Sequence, residues 1–304
     1  QGKDFGYRFL WRLALLGVFA TWNAAFFPAG DVLLLFVVVG VVLFLTRSWS
    51  DRAIGVAAVV LLLQPVEWYH YIANLINPAH RLPDLKVAEM YGEVADYTKA
   101  GNWRDFLLGN VTLGQKASFL WAVNAGRFVQ TAGLFLLGFF IGRKQLFMTN
   151  EKNIVFWTKV LIISAISFAP LYTLKELVME NDPIVQQTVG TAFDMWQKLA
   201  FTLVLVASFI LLYQHKNFSK AVAGLRFYGK MSLTNYISQS IIGVFIYFPI
   251  GLNLAPYCGY TLSLSVGFLI FLLQLKFCKW WLARHKQGPL EYIWHKCTWI
   301  GTGK

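Results

Sequence analysis

Residues 154–174, IVFWTKVLIISAISFAPLYTL, form an apolar run interrupted by one charge, Lys159. A helix of about 20 residues rises far enough to cross the hydrocarbon of a bilayer, and this run has that length. In hydrocarbon every backbone N–H and C=O must be satisfied within the segment, and the run lacks the alternation of a membrane barrel strand. It therefore reads as a transmembrane helix. Seven similar runs lie near residues 9–27, 31–46, 53–74, 117–142, 185–213, 232–252 and 258–281. The expected fold class is all-α: a polytopic transmembrane helical bundle of about eight spans, with residues 1–304 forming one transmembrane domain.

Composition agrees. Of 304 residues, 57% are hydrophobic and 14% charged, against about one quarter charged in soluble domains. The net charge of +12 would suggest nucleic acid in a soluble protein, but the basic residues cluster between the apolar runs, where they set membrane orientation. The lipid bilayer is thus the first partner and nucleic acid is not expected. Twelve Trp and thirteen Tyr suit interfacial belts and interhelical gaps. Cys258, Cys278 and Cys297 have no CxxC spacing, and no disulfide framework is expected.

Eighteen of the 27 Lys and Arg fall in one alternate set of connections, including Lys3, Arg8, Arg12, Lys216, Lys220, Arg226, Lys230 and Lys304. Six fall in the other set, where the connections near Pro28 and Pro256 carry none; Arg127, Lys159 and Lys198 lie within spans. The richer side is cytoplasmic by the positive-inside rule, which places residue 1 and the C-terminus inside a multi-pass membrane protein. The long stretch 75–116, with five basic and five acidic residues, then faces outward as an amphipathic cap of two short helices. Near the end, Gly288-Pro289-Leu290-Glu291 carries a helix-start pattern, with Pro in the first turn and Glu at the positive dipole end. Leu290, Ile293, Trp294, Cys297 and Ile300 share one face of that helix, so residues 288–304 are expected to form an interfacial amphipathic helix on the cytoplasmic leaflet.

Ionisable and polar groups inside a bilayer are unfavourable unless paired or hydrated, so they are the candidate functional residues. Asn124, Arg127 and Gln130 follow one another at helical-turn spacing, as an anion site or as an arginine neutralised by a carboxylate. Asp194 and Lys198, spaced i, i+4, can pair on one face. Glu67 and His70 stand one turn apart after Gln64-Pro65, where proline kinks the helix and frees a carbonyl. They are the catalytic candidates, as a general-base pair for a hydroxyl, with an interfacial polar cluster as the alternative. Asp31 follows Gly30 at a helix start and suits N-capping. Ser232, Asn235 and Gln239 make a polar stripe of the kind that joins membrane helices. Asn124, Arg127, Asp194, Lys198, Asn235, Gln239 and Asp31 are the substrate-binding candidates. Gly138 and Gly142 have the small-xxx-small spacing of close helix packing. The chain has no phosphate loop, no GxSxG elbow, no HExxH and no His/Cys cluster with metal spacing, so no metal site is expected.

Several pieces together resemble a known family: Arg12-Leu13 before Gly30-Asp31-Val32-Leu33; Gly126-Arg127-Phe128 before Leu136-Leu137-Gly138; Gly229-Lys230-Met231-Ser232-Leu233-Thr234-Asn235-Tyr236; and Gly288-Pro289-Leu290-Glu291-Tyr292. They resemble the YeiB-like family of bacterial inner-membrane proteins, domain of unknown function 418. That family is distantly similar to transmembrane acyltransferases such as the lysosomal heparan glucosaminide acetyltransferase. The resemblance implies a bacterial inner-membrane location and acyl transfer from cytoplasmic acyl-CoA to a hydroxyl or amine of an envelope glycan or lipid, with no covalently bound cofactor. It also implies further spans upstream of Gln1, and with them a catalytic histidine; the family often carries a histidine where Asn23 stands. A non-catalytic scaffold binding a partner protein or a second copy, and a small-molecule transporter, remain as the other function classes.

Overall fold

The computed structural model of the chain describes residues 6–27 and 29–300; Lys3, Pro28, Lys304 and the last four positions of the expected interfacial helix lie outside them. The helices run α1 (Gly6–Phe26), α2 (Leu33–Thr46), α3 (Asp51–Leu62), α4 (Pro65–Ile76), α5 (Val87–Lys99), α6 (Trp103–Gly109), α7 (Gln115–Asn124) and α8 (Arg127–Arg143). They continue with α9 (Glu151–Met179), α10 (Pro183–Val185), α11 (Thr191–Tyr213), α12 (Lys216–Val222), α13 (Leu225–Lys230), α14 (Ser232–Tyr247), α15 (Tyr260–Leu282) and α16 (Pro289–Thr298). Two π-helical turns, Asn110–Gly114 and Gln186–Gly190, lead directly into α7 and α11. No strand occurs among the described residues.

All eight apolar runs are helical, and the protein is an all-α membrane bundle. Among the described residues, fewer than eight helices have the length and composition of a full span. Four helices are long and apolar enough to cross a membrane, α1, α9, Pro183–Tyr213 and α15, or up to six with the bent pairs α3/α4 and Trp103–Asn124/α8. Length is the reason: α2 has 14 residues and α14 has 16, short of the roughly 20 that a span needs. Two runs are also interrupted, at Gln64 beside the expected Pro65 kink and at Gly126 within a run that reads as continuous, and at both the backbone turns left-handed.

The chain packs as two compact units. The first comprises residues 1–38, 86–121 and 221–304. Its core joins Phe19 and Ala20 of α1 to Leu33 of α2 and to Leu233 and Ile237 of α14, with Leu290 and Trp294 of α16 packed against them. The helix start read at Pro289 is present, but the apolar face of α16 is divided. Leu290 and Trp294 pack inward, Trp294 Nε1 donates to Arg12 O at 3.2 Å, and the Arg12 guanidinium lies 4.6 Å from the Trp294 ring centre. Ile293 and Ile300 remain exposed.

The physical content of the Gly-Pro-Leu-Glu piece is now visible. Glu291 accepts hydrogen bonds from Thr234 N at 3.0 Å and Thr234 Oγ1 at 2.5 Å, and Leu290 N donates to Thr234 Oγ1 at 3.2 Å. The carboxylate thereby satisfies an otherwise open N–H in the first turn of α14. Gly288 has no room for a side chain, since a Cβ there would collide with Glu291 Oε2.

In α5, Met90 and Val94 pack against Ala29 and Ala117. Tyr97 donates from its hydroxyl to Asn110 Oδ1 at 2.8 Å, and Asn110 Nδ2 donates to Ala25 O at 3.1 Å. Burial pushes the Tyr97 hydroxyl up to about 12. A raised folded-state value means stability that is complete below the ordinary tyrosine value, about 10, and lost as pH rises through about 12. Tyr97→Phe is therefore expected to lower stability by about 1 kcal/mol near neutral pH. The gap between variant and parent should close in thermal melts as pH climbs past 10; a gap independent of pH would rule out this role.

The second unit comprises residues 39–85 and 122–220. Ile54 and Ala58 of α3 pack on Leu136 of α8. Their helices approach closely because Gly133 leaves room for Leu62, whose Cγ would lie 2.8 Å from a Cβ at that position. The Gly138/Gly142 spacing does not mark this contact, since a Cβ at either position meets nothing within 4 Å. Asp51 at the start of α3 pairs with Arg143 at 3.1 Å and Lys144 at 2.8 Å, tying it to the end of α8.

Candidate functional site

The second unit builds a polar site from its two helix breaks. Proline at 65 cannot donate into the α3 ladder, so α3 ends at Leu62 and Gln64 takes φ 59, ψ 59 before α4 starts on Pro65. The α3 and α4 axes differ by 48°. The carbonyl expected to be freed near Pro65 is engaged: Leu62 O accepts from Trp196 Nε1 at 2.8 Å, and Trp196 stacks on Trp68 with ring centres 6.1 Å apart. The second break lies at Gly126, φ 63, which starts α8.

Glu67 brings the breaks together. A Cβ on Gly126 would run into Glu67 Oε1, with Glu67 Cδ at 3.2 Å and Thr191 Cγ2 at 3.6 Å. The carboxylate thus lies against the first turn of α8, where backbone N–H groups and the helix dipole favour a negative charge. Glu67 is 7% exposed and Gln64 is 0% exposed. Neither Gln64 Oε1, Gln64 Nε2 nor Glu67 Oε2 has a hydrogen-bond partner. Leaving such a group buried and unsatisfied costs about 1–3 kcal/mol, and buried polar groups are nearly always satisfied. Three such atoms within one turn are what a polar ligand would engage. Arg127 follows Gly126 in sequence, and its Nη1 donates to Gln130 Oε1 at 3.0 Å.

The other expected residues fall as follows. His70 does not pair with Glu67; its Nδ1 lies 3.0 Å from His80 Nε2, with the rings stacked. The expected Glu67–His70 pair is not formed: Glu67 is buried, while His70 faces His80 in the 77–86 connection. Asn124 does not share a helical face with Arg127: α7 ends at Asn124, which is exposed, and the left-handed Gly126 separates the two. Asp194 and Lys198 pair at 2.5 Å, with Lys175 at 3.9 Å from the same carboxylate.

Asp31, Asn235 and Gln239 lie in the first unit. Asp31 accepts from Leu34 N at 3.4 Å, the capping role, and from Asn23 Nδ2 at 2.8 Å. Asn235 donates to Tyr228 O at 3.1 Å; Gln239 donates to Tyr228 Oη at 2.7 Å and Gln274 Oε1 at 2.9 Å. These bonds join α14 to α13 and α15, the adhesive role of a polar stripe. Sequence reasoning missed Gln64, although it stands beside the proline that was noticed. Among the described residues no group of three or more His, Cys, Asp or Glu is placed to hold a metal.

Residues 141–301 match the family model described as Protein of unknown function (DUF418). The chain is similar to "Uncharacterized protein YxaH" of Bacillus subtilis (strain 168), 21% identical over 324 residues that cover 99% of this chain and 74% of that protein. It is also similar to "Uncharacterized 39.9 kDa protein in amylase 3'region" of Bacillus acidopullulyticus, 35% identical over 89 residues, 29% of this chain and 25% of that protein. No solved structure matches the chain.

Proposed function

Because this chain belongs to the DUF418 family and is a membrane protein, we propose that it is a membrane-embedded transferase that moves an acyl group onto a hydroxyl or amine. The buried Glu67, with an unengaged Oε2 three residues along the chain from Gln64, whose amide is also unengaged, carries this reading. Such a carboxylate can take the proton of an acceptor O–H or N–H as the acceptor attacks the carbonyl of an acyl thioester. The acyl–sulfur bond breaks, the ester or amide forms, and the proton passes from Glu67 to the departing thiolate or to solvent. Gln64 holds the acceptor, and Arg127 offers charge to the developing oxyanion. Acyl-CoA is the donor, and Lys216 and Lys220, on the basic side, supply attraction for its phosphates. The membrane is the bacterial inner membrane, residue 1 and the C-terminus are cytoplasmic, and the acceptor is an envelope glycan or lipid.

The test uses bacterial membranes containing the chain, radiolabelled acetyl-CoA, and counting of label in the glycan and lipid fractions. Glu67→Gln is expected to lower incorporation by about 100-fold or more, with Gly138→Ala, where a Cβ meets nothing within 4 Å, near the parent rate. Equal incorporation by parent and Glu67→Gln would overturn the assignment. A second reading, transport of a polar small molecule, is favoured by the two breaks meeting at one buried polar site, the arrangement of discontinuous helices in transporters. Counterflow of labelled solute in proteoliposomes without acyl transfer would select it.

A further inference from the structure

A cavity of about 540 Å³ opens at the end of α4, lined there by Asn74, by Arg81 and Leu82 of the following connection, and by Asp182, Pro183 and Gln187 around α10. That volume falls within the roughly 300–1,000 Å³ of small-molecule sites. Arg81 and Asp182 carry opposite charges into the same cavity, yet they form no ion pair. Arg81 Nη1 is tied to two backbone carbonyls, Pro78 O at 2.6 Å and His80 O at 3.1 Å, which fixes the guanidinium and leaves the rest of its donor fork available. Asp182 stands just before α10 without using its carboxylate as a helix cap. Asn74 Nδ2 donates to His80 O at 3.0 Å, which leaves its Oδ1 as an acceptor.

A cavity that keeps a cation and an anion apart is complementary to a ligand carrying both. The surroundings narrow the class: Ile72, Leu75 and Ile76, on the last turns of α4 beside Asn74, are exposed apolar side chains. Exposed apolar side chains on the last turns of a membrane helix that ends at a charged cavity suit the headgroup layer. We infer that this cavity binds a zwitterion bearing a phosphate and a primary ammonium, the chemistry of phosphoethanolamine, with the phosphate on Arg81 and the ammonium on Asp182. A guanidinium fork matches phosphate oxygens, and three ammonium donors can be shared between Asp182 and Asn74 Oδ1. Asn74 lies two helical turns from Glu67 along α4. As the identity of the acyl acceptor this rests on the transfer reading above; as a binding site it does not.

The test is calorimetric titration of the full chain in phosphatidylcholine nanodiscs with glycerophosphoethanolamine, in the Glu67→Gln background so that no turnover intrudes. Saturable binding is expected, weakened about tenfold or more by Arg81→Gln and by Asp182→Asn. Glycerol phosphate should bind more weakly and respond to Arg81→Gln alone. If discs containing phosphatidylethanolamine abolish uptake of the soluble probe, the lipid headgroup is the source; if they leave it unchanged, the free phosphoester is. Absence of saturable binding, or binding that both variants leave intact, overturns the site. Acyl transfer without this binding would refute the cavity and spare the Glu67 reading, and binding without transfer would do the reverse.

Discussion

Gly126→Val is expected to destabilise the protein by about 4 kcal/mol, since a β-branched residue in the left-handed region is strained and its side chain must displace a buried group. The backbone at Gly126 has φ 63, and the first atom added meets Glu67 Oε1. Glu67 has little freedom to yield, being 7% exposed with Thr191 on the same side. Gly126→Ala should fall between parent and valine. Gly138→Ala is the control, because a Cβ there meets nothing within 4 Å and alanine favours helix by up to about 1 kcal/mol over glycine. Reversible unfolding in mixed micelles measures all three. A Gly126→Val protein as stable as the parent would mean that the second break is not built as described.

The second large effect is at the other end of the chain. Glu291→Ala is expected to lower stability by about 2–3 kcal/mol, because it strands a partly buried N–H and hydroxyl of Thr234 together. Glu291→Gln keeps an acceptor and should recover about half, the difference being the charge-assisted part of the bonds. Thr234→Ala combined with Glu291→Ala should cost less than the two single losses added, since both remove one contact. Strict additivity in a double-mutant cycle would show that the two side chains act separately.

The helices and their membrane setting were legible in the sequence, because twenty apolar residues in a row admit one backbone solution in hydrocarbon. The interruptions were only half legible. Pro65 announced its break, since proline lacks the N–H that the ladder needs. Gly126 did not, because glycine inside an apolar run is compatible with a continuous helix. Reading on across it placed Asn124 and Arg127 on one face. His70 was assigned to Glu67 by spacing, but its partner is His80, in a connection with no periodicity to read. The Thr234–Glu291 contact spans 57 positions, and no local rule predicts a pair so far apart. Its two halves were each noticed as short motifs, which is as far as separate motifs can lead.

The π-helical turn Gln186–Gly190 bears on tolerance to change. A turn closed by i→i+5 bonds holds one residue more than an α turn, and each residue of an α-helix advances the next by about 100°. Removing one residue between 186 and 190 would let the turn close as regular helix with α11 kept in its present rotation, whereas removing one residue from the α-helical body, such as Ala192, would rotate everything after it by that angle. The first deletion leaves Trp196 at Leu62 O and Thr191 at Gly126, and the second swings Trp196 away. A one-residue deletion within the π turn should therefore be tolerated far better at the Glu67 site than one in the helix that follows it, although both remove a single residue.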